Sequence, residues 1–206
     1  MAIRDLLWAC PLCGTEGGIR PARKGEACGA CGARFRRGRG SSIVAETAGG
    51  EARTLPAAAW ADLLPDIEAT ERFRVDGEPG RVLHRARTRA RFAVAEAVVR
   101  LGLRYMNRIE RFGPPSDGEL VLHADRLSFA PDDGAPEAWA FDEITAVQPS
   151  SSTLQVKARG RPVASFRFPE DSARFWEELL CAALRRHYRA AGRGEIVEFQ
   201  PRIATR

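Results

Sequence analysis

Hydrophobic and polar residues alternate over long stretches of the second half of the chain, and this alternation predicts β-strands. Between Arg85 and Phe92 every odd position is arginine and every even position is Ala, Thr or Phe. After residues 95–97 the alternation restarts and continues to Tyr105. A period of two over this length is typical of two half-buried antiparallel strands, here joined by a short loop at 95–97. By composition the same stretch also fits a long basic amphipathic helix, which is the alternative.

The rest of the second half continues in strands and then changes to a helix. Short apolar runs between residues 119 and 168 are separated by turn-forming Pro, Asp, Gly and Ser, which predicts about seven strands in total from residue 81 to 168. From Pro169 onward, apolar residues recur every three or four positions, as in an amphipathic helix. Gly192 and Gly194 end this helix, and residues 192–206 form a tail with one strand-like piece.

The first half divides into shorter segments. Residues 41–55 predict a β-hairpin around Gly49-Gly50, and Pro56 and Pro65 bound a short helix. Residues 65–80 are acidic and contain several Pro and Gly, so we expect a linker there and a domain boundary near residue 78. The predicted organisation is 1–40, a small metal-binding module; 41–80, hairpin, short helix and acidic linker; 81–191, the second domain; and 192–206, the tail.

The net charge of +5 is distributed unevenly along the chain. Residues 1–40 carry eight basic and three acidic side chains, residues 41–80 three basic and eight acidic, and residues 81–111 nine basic and two acidic. Arginine outnumbers lysine by 30 to 2. Arginine suits bidentate contacts to phosphate, although a GC-rich genome produces the same ratio without any functional cause. The two basic blocks therefore do not by themselves indicate that the protein binds an anionic partner.

Four of the five cysteines form two Cys-x-x-Cys pairs: Cys10 with Cys13, and Cys28 with Cys31. Each pair is followed by a glycine, which allows the tight backbone turn that a metal knuckle requires. Two such pairs offer four thiolates to one tetrahedral ion, so the sequence predicts one structural Zn²⁺ with Zn–S bonds of about 2.3 Å. Disulfide pairing is the alternative. No secretory signal precedes the cysteines, which favours a cytoplasmic, reducing location, with a peripheral position at the inner membrane face as a further option.

This motif resembles the zinc-ribbon family over residues 8–37. The module has few apolar residues, so the metal is expected to be required for its folding. Changing Cys28 to Ser is accordingly expected to unfold residues 1–40, while the domain at 81–191 keeps its own melting transition.

The second domain resembles the pleckstrin-homology/GRAM superfold over residues 81–191. The resemblance lies in the segment 118–129, in Phe166-Arg-Phe168, and in Trp176, which matches the aromatic residue that plugs the open end of the barrel in that family. It implies a mainly β fold: a zinc ribbon followed by a seven-stranded antiparallel barrel capped by a C-terminal α-helix. It also implies binding of acidic head groups, peptides or proteins, and no catalysis. The expected loop at 95–97 is short and acidic, which departs from the basic loop of phosphoinositide binders.

Other chemistry is sparse. His84, His123 and His187 stand in no recognisable catalytic frame, and Cys181 in the predicted helix is expected to be a small buried residue. No phosphate-binding loop, serine elbow or Glu-x-x-His pair occurs, so an enzyme is not expected.

Two functional hypotheses follow. The first is a non-enzymatic zinc-binding adaptor that binds a protein partner or an anionic membrane surface through an arginine-rich strand face: Arg85, Arg87, Arg89, Arg91, Arg100 and Arg104. A plainly solvated face is the alternative interpretation of those residues. The second hypothesis is a nucleic-acid-binding zinc-ribbon protein. Its contacts would be Arg20, Arg23, Lys24, Arg34, Arg36 and Arg37 to phosphates and Phe35 to bases.

Overall fold

The computed structural model describes residues 2–74, 79–101, 104–149 and 153–192; for 74, 96–101, 104–109 and 149 it describes the backbone alone. The fold is mainly β, with two antiparallel sheets and a C-terminal helix. The predicted domain boundary near residue 78 and almost all of the tail at 192–206 lie outside the described residues. In the part of the chain described, no helix combines the length and the apolar character needed to cross a bilayer.

The N-terminal sheet has five strands that follow one another in chain order. They are β1 (Ile19–Ala22), β2 (Gly25–Cys28), β3 (Arg34–Arg37), β4 (Ser42–Glu46) and β5 (Ala52–Pro56). A short helix, α1 (Ala57–Ala61), follows β5 and buries Trp60. The Trp60 ring meets Phe35 edge-on at 6.5 Å, and its Nε1 donates to the Ile43 carbonyl at 2.9 Å. The hairpin β4–β5 and α1 therefore complete the core of the N-terminal module.

The second sheet has eight strands. They are β6 (Val82–Leu101), β7 (Arg104–Phe112), β8 (Ser116–His123), β9 (Arg126–Pro131), β10 (Glu137–Ala140), β11 (Ile144–Pro149), β12 (Thr153–Ala158) and β13 (Ala164–Arg167). Their order is β10-β9-β8-β6-β13-β12-β11, and β7 pairs with β6 alone among the described strands. The last strand, β13, thus returns to pair with the first.

The expected closure into a barrel is wrong. Among the described residues the two end strands, β10 and β11, share no ladder. A 3₁₀ turn at Phe141–Glu143 carries the chain from β10 directly into β11. The two ends of the sheet are therefore connected by the chain itself and not by backbone hydrogen bonds.

The expected loop at 95–97 is also wrong, because β6 runs through it as one strand of 20 residues. The pairing of β6 with β7 shifts register between Ala93 and Ala95. Such a bulge moves the alternation by one residue without ending the strand, which explains the restart in the sequence pattern. The chain reverses between Leu101 and Arg104, and the strand pairing excludes the helix alternative for this stretch.

The long helix α3 (Ala173–Ala190) covers the core of the second sheet. Ser172 caps its N-terminus by accepting hydrogen bonds from the amides of Arg174 and Phe175. Trp176 is fully buried and stacks on Phe168 with ring centroids 5.1 Å apart. The other core residues contributed by this helix are Ala173, Phe175, Leu179, Leu180, Ala182, Ala183 and Leu184.

The segment expected to be an acidic linker packs against the second domain as far as it is described. It contains a 3₁₀ turn at Ile67–Ala69 and a helical turn, α2 (Glu71–Arg74). Ile67 and Phe73 are buried in the main core. The acidic Glu68 binds Arg185 at 2.9 Å and Arg189 at 3.0 Å, both on α3. Its charge is thus used in ion pairs with the helix.

Candidate metal centre

Two similar backbone turns present the four cysteines. In the first, the Cys10 amide donates to the Thr15 carbonyl at 3.0 Å and the Gly14 amide donates to the Cys10 carbonyl at 2.7 Å. The second turn repeats this pattern at Cys28, with Ala33 as acceptor and Gly32 as donor, at 2.8 and 3.0 Å. Gly14 and Gly32 have φ of 76° and 72°, in the left-handed region that glycine tolerates best. These φ values explain why a glycine follows each Cys-x-x-Cys pair.

The four sulfur atoms lie close together. Every ligand atom of Cys10, Cys13, Cys28 and Cys31 is within 4.8 Å of the others. The Sγ atoms of Cys10 and Cys31 are 3.7 Å apart, and so are those of Cys13 and Cys28. These separations are far longer than a disulfide bond of about 2.05 Å. A tetrahedron with bonds of about 2.3 Å has edges of about 3.8 Å, so the cluster fits a four-coordinate metal ion.

The thiols differ in their surroundings. Cys10 and Cys28 are buried, whereas Cys13 is exposed and its Sγ lies 3.2 Å from the Thr15 hydroxyl. That hydrogen bond is the main reason why the pKa of Cys13 is lowered to about 6, while burial raises the pKa of Cys10 and of Cys31. A metal cation would compensate the cost of ionising the buried thiols, because bound cysteine is a thiolate.

Gly18 also lies close to the cluster, and the Cys-x-x-Cys motif does not indicate its role. A Cβ on Gly18 would lie 3.2 Å from Cys28 Sγ and 3.1 Å from the Thr15 carbonyl. A side chain at this position would therefore require Cys28 Sγ or Thr15 to shift by a few tenths of an ångström. The Gly17-Gly18 pair just before β1 indicates a tight turn or a close backbone contact. It does not indicate that the contact is with the sulfur of Cys28.

The arginines of β6 are paired with acidic residues on β8 and just after β9. Arg87 and Arg89 make two-pronged hydrogen bonds of 2.6–3.0 Å to Asp132 and Asp117. These contacts lower the pKa of both carboxyl groups. Arg85 lies 3.8 Å from Glu119.

The other members of the predicted arginine-rich strand face are Arg91, Arg100 and Arg104. Arg91 donates to the Gly113 carbonyl at 3.0 Å. The side chains of Arg100 and Arg104 lie outside the described residues.

The basic residues of the N-terminal sheet have a different environment. Within the described residues, no ion pair involves Arg20, Arg23, Lys24, Arg34, Arg36 or Arg37, and all six are exposed. We call these six residues the cationic surface. Lys24, Arg36 and Arg37 line one cleft of about 410 Å³. Phe35, the expected base-stacking residue, is fully buried and cannot reach a nucleic acid.

The remaining candidate groups have structural contacts. His84 binds Asp171 at 2.8 Å, His123 lies 2.9 Å from the Ser128 hydroxyl, and His187 lies 3.2 Å from Asp142. Cys181 is half-buried against the main core, and burial raises its pKa to about 12. A thiol with that pKa stays protonated at neutral pH and is a poor nucleophile.

Comparisons with known proteins identify no family. No protein-family model matches the chain. No curated protein matches it either. Among solved structures, the chain is similar to the crystal structure of the C-terminal domain of an unknown protein from Leishmania infantum. The alignment covers 48% of this chain and 81% of that one, with 14% identity and a TM-score of 0.32. A likeness of this size carries no argument about fold or function.

Proposed function

We propose that this chain is a non-enzymatic zinc-binding adaptor, in which a zinc ribbon holds one Zn²⁺ and a PH/GRAM-like domain serves as its scaffold. The convergence of four cysteine sulfurs carries the proposal. Four protein thiolates fill a tetrahedral site and leave no position for water or substrate, as in structural zinc sites. Zinc bound there contributes folding energy to the module and takes no part in a reaction.

The resemblance to PH/GRAM domains is supported by the strand order and the helix. Apart from β7, the strands of the second sheet form one antiparallel series in which β13 returns to β6, and α3 follows immediately. Trp176, which the resemblance implies as the aromatic plug, is fully buried and stacks on Phe168. Open ends at β10 and β11 distinguish this sheet from the closed barrel that was expected.

The distribution of ion pairs favours the N-terminal sheet as the binding site for an anionic partner. A guanidinium that already binds a carboxylate in two places must give up that contact before it can bind a phosphate. This applies to Arg87 and Arg89 on β6. It does not apply to the cationic surface, whose members have no carboxylate partner among the described residues.

We infer that the partner is a nucleic acid bound through its phosphates. Arg34 and Arg36 are two residues apart on β3, which places them about 7 Å apart along one face of the sheet. Arg20 shares a cross-strand row with Arg34 through Ala27, about 10 Å away across β2. With Phe35 buried, base stacking contributes nothing here, so binding should be independent of sequence.

A membrane surface fits this region less well. Peripheral membrane binding combines cationic residues with apolar side chains that enter the bilayer. The exposed large hydrophobic residues of the described chain are Leu12, Leu63, Val82 and Val94, and none lies between residues 19 and 37, the segment that carries the cationic surface. The alternative is that the adaptor binds a protein partner or an anionic membrane through the β6 arginines.

Fluorescence anisotropy with a labelled mixed-sequence oligonucleotide tests the proposal. We expect affinity to fall steeply with salt, and the Arg34→Gln/Arg36→Gln variant to reduce the slope of log K against log salt by about 2. The matched control, Arg87→Gln/Arg89→Gln, removes the same charge from β6 and should leave the slope unchanged. Absence of binding at low salt, or equal effects of the two variants, would refute the nucleic-acid proposal. Co-sedimentation with anionic vesicles that depends on Arg87 and Arg89 would support the alternative.

A further inference from the structure

The loop that carries the first two cysteines also joins the two sheets. Residues 8–17, which we call the cysteine loop, are closed at their base by an isolated antiparallel bridge between Ala9 and Glu16. The Gly17 amide donates to the Trp8 carbonyl at 2.9 Å, one step further along the base. Trp8 and Glu16 therefore lie next to the metal ligands in the chain and are positioned by the same loop.

Trp8 attaches the cysteine loop to the first turns of α3. It is 97% buried (3% exposed) and stacks on Phe175 with centroids 5.3 Å apart and planes inclined by 20°. Its Nε1 donates to a Glu178 carboxylate oxygen at 2.5 Å. Close by, the Ser172 hydroxyl, which caps α3, donates to the Asp5 carbonyl at 2.7 Å. The N-terminal end of α3 is thus held by residues of the N-terminal module.

Glu16 attaches the loop to the same region through a chain of polar contacts. Its carboxylate binds Arg72 at 2.5 Å, and Arg72 Nη1 lies 3.0 Å from His84 Nδ1. On the other side of that ring, His84 Nε2 lies 2.8 Å from Asp171 Oδ2. Asp171 also accepts a hydrogen bond from Trp176 Nε1 at 3.1 Å. The chain of contacts therefore runs from the cysteine loop to the residue before the cap of α3.

We infer that metal binding at the four-cysteine site controls how firmly the N-terminal end of α3 is held. The inference rests on the proposed zinc site. Metal bonds to Cys10 and Cys13 fix the cysteine loop against Cys28 and Cys31, and the loop in turn fixes Trp8 and Glu16. Without the metal, the small N-terminal core has no cross-link to hold this loop, so both attachments to α3 weaken together. Metal loss would then loosen the N-terminal end of α3, which belongs to the second domain.

Hydrogen exchange followed by mass spectrometry on the full chain tests the inference. Exchange is compared before and after zinc removal with a chelator, and native mass spectrometry verifies the metal content of each sample. We expect amides at 171–180 to exchange about tenfold faster after zinc removal, because local opening sets their protection. The reference segment is β8–β9, at 116–131, which contains none of the described side-chain partners of Trp8 and Glu16 and should keep its protection.

A second variant separates the coupling from the metal itself. Glu16→Gln keeps all four cysteines, so it should still bind one zinc while residues 171–180 already exchange faster. Unchanged exchange at 171–180 after verified zinc loss would overturn the inference and leave the proposed zinc site intact. Equal loss of protection at 116–131 would overturn it too, because it would indicate general destabilisation. A purified chain without zinc would refute both the proposed function and the inference.

Discussion

Replacing Trp8 by Ala measures how strongly the N-terminal module stabilises the second domain. The side chain is buried in the main core, against Phe175, and donates to Glu178. Removing a buried tryptophan costs about 3–5 kcal/mol, of which the aromatic pair accounts for about 0.5–1.5 kcal/mol. Domains of this kind have a total stability of about 5–15 kcal/mol. The loss should therefore be a large part of the free energy of unfolding of the whole chain.

Urea unfolding followed by far-UV circular dichroism and by tryptophan fluorescence is the appropriate assay. With a denaturant slope of about 2 kcal/mol per molar, Trp8→Ala should lower the midpoint by about 1.5–2.5 M. The control Trp8→Phe keeps the ring stack and loses the Nε1 hydrogen bond, at a cost of about 1–2 kcal/mol. Two separate transitions, with the second-domain midpoint unchanged by Trp8→Ala, would refute this reasoning. That result would instead support the expectation from the sequence that the two domains unfold independently.

Two further predictions concern α3 and the second sheet. Burial opposes ionisation of Glu68, but hydrogen bonds from Arg185 and Arg189 outweigh it and lower its pKa below the ordinary 4.5. The unfolded state then binds the proton first, so this stabilisation is complete above about pH 4.5 and is lost as pH falls through the folded pKa. Glu68→Gln should cost about 1 kcal/mol at pH 7 and less at pH 3, as measured by urea titration at both pH values. Gly118→Ala would place a Cβ 2.3 Å from the Ala130 carbonyl and 2.7 Å from the Phe129 ring. We expect a loss of about 1–3 kcal/mol. At Gly49 the nearest atom to an added Cβ would be Thr47 Oγ1 at 3.7 Å, an ordinary contact, so Gly49→Ala should melt like the parent in calorimetry.

The local features of the fold could be predicted because their causes are local. The spacing of Cys10, Cys13, Cys28 and Cys31 identified the metal cluster, and the change of period after Pro169 identified α3. The mainly β class followed from the alternation. The bulge in β6 depends on its pairing with β7. The sequence pattern alone therefore led to the wrong expectation of a loop at 95–97. The open sheet likewise depends on which strands meet, and no local pattern encodes that.

The long-range contacts of the candidate sites were not predictable for the same reason. Asp117 and Asp132 meet the β6 arginines only because the register of β8 and β9 places them there. Trp8 meets Phe175 across 167 residues of chain, and nothing in either segment indicates the other. The burial of Phe35 required knowing that α1 supplies Trp60 to the N-terminal core. In each case the decisive information is a tertiary contact.

Native mass spectrometry of the purified chain tests the central claim most directly. The account predicts one zinc ion per chain, held by Cys10, Cys13, Cys28 and Cys31. Cys28→Ser should lose the ion, and the matched control Cys181→Ser, which changes the one cysteine outside the cluster, should keep it. A chain that carries no metal and whose four clustered thiols are oxidised, or a zinc content unaffected by Cys28→Ser, would contradict the account.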